Sequence, residues 1–190
     1  DEGWLRTRLL PGLLATARRN VRRHVRSVAV FEVDTVFRMV DGQPVERPKA
    51  AFAMTGNADP GWASGDRPVD VFDAEGVVEA LMAALGIGWS LGAPAGRPFH
   101  PGRSAVVEAN GERVGVLGEI HPAVAERFDI PGRVGVAELE VEVLMRLARP
   151  FVRVEDVPRF PPVRRDLAFT VEASTPAERV RSALAEAAGD

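Results

Sequence analysis

Leu10, Leu13, Leu14, Ala17 and Val21 recur at helical spacing, so the pattern predicts an amphipathic helix over Leu10–Arg23. Pro11 suits its first turn, where a missing N–H costs nothing, and Arg18, Arg19, Arg22 and Arg23 complement the dipole at its end. The leucine stripe is wide enough to pack on a partner helix as well as on its own sheet. Val28–Phe37 is rich in β-branched and aromatic residues and predicts a strand buried on both faces. Asp41-Gly42 marks a turn, and a second strand is expected over Lys49–Thr55. The Gly, Pro, Asp and Asn content of 56–68 predicts a loop.

Asp73 is placed to cap a helix with the core stripe Val78, Leu81, Met82 and Leu85, stopping near Gly86 or Gly88. Apolar runs on both sides of Asn110-Gly111 predict a tight hairpin, after which Pro122 opens a short helix through Phe128. Val134–Leu139 predicts a strand, and Glu142–Leu147 a short helix. Interleaved elements with at least one hairpin point to an α+β domain with an antiparallel sheet. A boundary is expected at the prolines between 150 and 162. Beyond it, Leu167, Phe169 and Val171 alternate as in a strand, and Thr175-Pro176-Ala177-Glu178 has the form of a capping box opening a helix that turns Val180, Leu184 and Ala188 inward. One strand and one helix cannot bury a core, so the chain is expected to be one whole domain and the severed start of a second.

Composition narrows this without changing it. Hydrophobic residues make up 46% of the 190 and charged ones 27%, as in ordinary globular chains, and the net charge of −3 argues against a strongly basic nucleic-acid coat. The absence of cysteine excludes disulfides, thiolate zinc sites and cysteine nucleophiles. No apolar run approaches the roughly 20 residues that span a bilayer. Lys49 is the sole lysine, and with abundant Ala, Gly and Pro this reads as the codon bias of a GC-rich genome.

Candidate chemistry is sparse. His24, His100 and His121 lack metal-ligand spacing and lie beside turns or helix ends, which favours loop or capping roles over catalysis. Asp70, Asp73 and Glu75 could hold magnesium, but a cap and a first helical turn use the same residues. No phosphate-binding glycine loop and no nucleophile elbow is present. Arg164 and Arg165, beside a proline pair, could present two guanidinium groups to phosphate, or simply keep a strand end soluble.

Five segments carry a resemblance. They are Leu5-Arg6-Thr7 running into Leu9–Leu14 with Arg19-Asn20; Phe31-Glu32-Val33 with Val36-Phe37; and Val69–Asp73 with Gly76 and Val78–Leu81. They continue in Phe99–Ala105 with Gly118-Glu119-Ile120-His121-Pro122, and in Arg159–Ala168. In this order they resemble the β subunit of bacterial phenylalanyl-tRNA synthetase across essentially the whole chain.

The resemblance implies a class II synthetase-like sheet flanked by helices over residues 1–150, a linker over 151–160, and from 161 to 190 the start of a ferredoxin-like anticodon-binding domain. It implies a non-catalytic scaffold, with no cofactor or metal of its own, inside an α2β2 ligase that charges tRNA(Phe) with phenylalanine. ATP, magnesium and phenylalanine would bind elsewhere, on the α subunit; accordingly, no Phe-Arg-x-Glu motif is found, and Phe31-Glu32 lacks the arginine. The implied partners are that α subunit, contacted through Leu10, Leu13, Leu14, Ala17 and Val21, and tRNA, contacted through Arg164 and Arg165. The implied location is the cytoplasm, with no membrane association, and the helix without its partner would leave a leucine stripe that drives artificial self-association. Glu75 departs from the family, which commonly has lysine there. Two other readings compete: a stand-alone RNA- or protein-binding module, and an unrelated enzyme centred on Asp70 and Asp73.

Overall fold

The computed structural model describes residues 5–58, 67–149, 166–172 and 174–188. The chain divides into two compact units, Asp1–Val152 and Arg153–Asp190.

In the first unit, helix α1 (Leu10–Val21) is followed by the long hairpin β1 (Ser27–Val40) and β2 (Gln43–Gly56). Val40 pairs with Gln43 across Asp41-Gly42, both at positive φ, the geometry of a two-residue type I′ turn. Helix α2 (Val71–Leu85) leads through β3 (Ser90–Leu91) to a second hairpin, β4 (Phe99–Ala109) and β5 (Glu112–Ile120). Its turn is Asn110-Gly111, again with both residues at positive φ. Helix α3 (Pro122–Arg127), strand β6 (Val134–Glu140) and helix α4 (Val141–Leu147) complete the unit.

The six strands form one antiparallel sheet in the order β1-β2-β6-β5-β4-β3. Insertion of the late strand β6 between the two hairpins makes the fold non-local, and β6 is buried almost throughout. Each face has its own core. Leu10, Leu13, Leu14 and Ala17 of α1 pack with Val28, Val36, Ala53 and Val136 on one face. Val78 and Met82 of α2, with Leu144 of α4, pack with Val107, Leu117 and Leu139 on the other.

Two expectations need correction here. β1 is an edge strand and is not buried on both faces: Phe31 is 80% and Val33 61% exposed. The reason is that α2 lies over β5 and β6 and leaves the outer strands uncovered on that side. The cap of α2 is Asp70, not Asp73; Asp70 Oδ1 accepts from the Phe72 and Asp73 N–H groups while Asp73 accepts from Asp70 N–H, a reciprocal capping box. Gly86 ends the helix in the left-handed conformation, as expected.

In the second unit, α5 (Ala177–Ala188) forms where the helix was expected. Residues 166–172 do not form a strand, since no strand pairs with them among the described residues, and Leu167, Phe169 and Val171 are exposed. Glu178 does not close a capping box either: its carboxylate accepts from Arg181 and Ser182, and the Thr175 N–H bonds to the Glu172 carbonyl. Phe169 and Val171 line a shallow hollow with Val180 and Leu184.

Candidate functional surfaces

The segments around Phe99 and Gly118 meet at the bulged end of the β4–β5 hairpin. The register shifts between Phe99 and Ser104, and the extra residues are held by their own side chains. His100 Nδ1 accepts from the Gly102 N–H at 3.1 Å, and the Ser104 hydroxyl donates to the His100 carbonyl at 2.8 Å. His121 Nδ1 accepts from the Ala123 N–H at the start of α3, and its ring stacks on His100 with centroids 6.4 Å apart. His24 sits at positive φ just after α1. His24 and His121 thus occupy a turn and a cap position, and His100 sits in the bulge of β4.

Glu119 is buried beneath this corner. Arg103 Nε donates to Oε2 at 2.6 Å, and Arg133 Nη1 lies 3.8 Å from Oε1, so one carboxylate ties β4 and β5 to the segment entering β6. A buried carboxylate left without such partners would be strongly destabilising, which makes the arginines structural.

Asp70 and Asp73 are occupied by the capping box, and the Arg67 guanidinium closes on Asp73 at 2.6 and 2.7 Å. That hydrogen bond, more than the competing burial, holds the Asp73 carboxyl below the usual carboxylate range. Glu75 moves the other way: burial first, then the nearby Glu79, pushes its carboxyl up. No group of three or more His, Asp or Glu positioned to hold a metal ion occurs among the described residues.

The five predicted interface residues lie together on α1, but they face inward. Leu10, Leu13, Leu14 and Ala17 are buried in the chain's own core, and Val21 packs partly against it. Pro11, Gly12, Ala15 and Arg19 form the exposed side of the helix. Arg164 and Arg165 lie outside the described residues.

The apolar surface that is open lies on the opposite face of the sheet. Phe31 and Val33 of β1, Phe52 of β2, and Val77 and Leu81 of α2 line a groove of about 360 Å³ with almost no polar wall. Exposed Phe72 extends the patch along α2. Sequence reasoning missed this surface because an apolar strand looks the same whether its second face is covered or not. The clue available was that α2 carries only one core stripe and cannot cover six strands.

These features define a class first: an α+β domain built on a six-stranded antiparallel sheet, with helices on both faces and an apolar face left partly open. Comparison with known proteins narrows the class to a family. Residues 1–141 match the family model for the phenylalanyl tRNA synthetase beta chain CLM domain, and the chain belongs to that family. It is 46% identical over 194 aligned residues, covering all of the chain, to the phenylalanine–tRNA ligase beta subunit of Symbiobacterium thermophilum. The corresponding protein of Moorella thermoacetica is 36% identical over 195 residues, also covering the whole chain, and that of Xanthomonas campestris 41% identical over 171 residues, 88% of it. The chain spans 22%, 24% and 21% of the length of these three relatives. No described helix is long and apolar enough to cross a membrane.

Proposed function

We propose that this chain is a non-catalytic scaffold within the β subunit of a phenylalanine–tRNA ligase, and that its first unit is the class II synthetase-like domain of that subunit. The observation that carries the reading is the match of residues 1–141 to the β-chain family, joined to an open apolar face that a partner chain would cover. The α subunit is the partner assigned to that face, and it carries the ATP, magnesium and phenylalanine sites; residues 1–190 hold no cofactor. This moves the contact from the inner stripe of α1 to Phe31 and Val33 on β1, with the outer side of α1 free to contribute. The second unit is the opening of a ferredoxin-like anticodon-binding module, with Arg164 and Arg165 directed to tRNA phosphate, and the whole assembly works in the cytoplasm.

The test pairs activity with assembly. Purified residues 1–190 should show no phenylalanine-dependent ATP–pyrophosphate exchange, and the full-length chain should co-purify with the α subunit. Exchange by the chain alone would overturn the scaffold reading. Undiminished co-purification of a folded Phe31→Asp variant would overturn the assigned face.

A further inference from the structure

On the α1 side of the sheet, beside the N-terminal end of that helix, lies a polar basin of about 380 Å³ that no role above explains. Its cationic wall is Arg8, Arg38, Arg47, Lys49 and Arg113, drawn from the segment before α1, from β1, β2 and β5. Its anionic wall is Glu138, Glu140 and Glu142, so cations outnumber carboxylates by five to three. Antiparallel pairing sets this up: Lys49 stands opposite Glu140, and Arg47 opposite Val36, on neighbouring strands.

The carboxylates are already engaged. Glu138 is buried, accepts the Leu9 N–H at 2.9 Å and lies 3.5 Å from Lys49 Nζ. Glu140 lies 3.0 Å from the same ammonium, and Glu142 pairs with Arg47 at 3.1 Å. Three cations are left over. Arg38 and Arg113 form no ion pair among the described residues. Arg8 reaches Glu138 only at 3.9 Å, and its buried Nη1 has no hydrogen-bond partner. A buried charged donor without an acceptor is costly, and a small anion in the basin would remove that cost. Guanidinium groups present planar forks suited to phosphate oxygens, and a cavity of this size fits a small ligand. Composition adds an independent sign. Arginine supplies every other permanently charged cationic side chain, yet the one lysine stands here, where a compact ammonium fits between two carboxylates.

We propose that this basin binds a small phosphate-bearing anion, held by Arg8, Arg38 and Arg113 while Lys49 organises the carboxylates behind it. The proposal does not depend on the scaffold reading. Free phosphate and a phosphate ester share the recognising chemistry, and the choice of probes separates them. Calorimetric titration of the full-length chain, in the assembly it forms, would use inorganic phosphate, inorganic pyrophosphate and ribose 5-phosphate, with a short single-stranded RNA as the competing class.

We expect saturable binding of at least one small probe at millimolar concentrations or below. Binding should weaken about tenfold or more in the Arg38→Gln/Arg113→Gln double variant, because each charge-assisted bond contributes on the order of a tenfold change. Both side chains are exposed and unpaired, so the fold should tolerate the change, and an unaltered melting transition checks this. Arg127→Gln, exposed on α3 and away from the basin, should bind as the unmodified chain does. A strong response to ribose 5-phosphate with none to the inorganic ions identifies an ester site, and the reverse a free-anion site; both support the proposal. Absence of binding by all three small probes, undiminished binding by the double variant, or binding of RNA alone would overturn it.

Discussion

At the scale of residues, Asp73 shows how one carboxylate joins capping to charge. It accepts the Asp70 N–H within the box and receives the Arg67 fork, and the Arg67 bond is the larger cause of its lowered pKa. An acid whose folded pKa lies below its unfolded value stabilises the fold above the unfolded pKa, and that contribution is lost as pH falls through the folded one. Asp73→Asn should therefore lower neutral-pH stability by about 1 kcal/mol, mostly through the cap, since half-exposed Arg67 adds little. Urea melts as a function of pH check this, and the gap between variant and parent should narrow in acid. A gap independent of pH would mean that Asp73 acts through packing alone.

Among the elements, the two hairpins were written plainly in the chain, because Asp41-Gly42 and Asn110-Gly111 carry the positive φ that type I′ turns demand. Asn110→Ala should cost about 1 kcal/mol from the left-handed backbone alone, visible as a lower denaturation midpoint with the fold retained. Helix α1 and strand β6 were equally legible from their periodicity, within a residue or two at their ends, whereas α2 is capped three residues earlier than expected, at Asp70 rather than Asp73. What local pattern could not show was position in the sheet. Whether β1 is covered depends on β6 inserting next to β2 and on α2 crossing β5 and β6, contacts between elements far apart in the chain. The same holds for the basin, where Arg8 and Glu138 meet across 130 residues and only the solitary lysine gave a hint. The failed strand at 166–172 makes the complementary point, since alternation marks a face but a strand also needs a hydrogen-bonding neighbour.

For the whole molecule, the arrangement of exposed surface outweighs net charge. The leucine stripe of α1 is enclosed, so it cannot drive self-association as its pattern suggested. The open face of β1 can. Isolated residues 1–190 should associate weakly with rising concentration, and Phe31→Asp should return them to monomer in sedimentation experiments. Persistence of the association in that variant would point to another surface.

Lys49 has one more consequence, and it is chemical. Within residues 1–190 there is a single ε-amine, and it is wedged between Glu138 and Glu140. A reagent or enzyme that acylates lysines would find just one such nitrogen here. Acylating it would leave two neighbouring carboxylates facing each other with no ammonium between them.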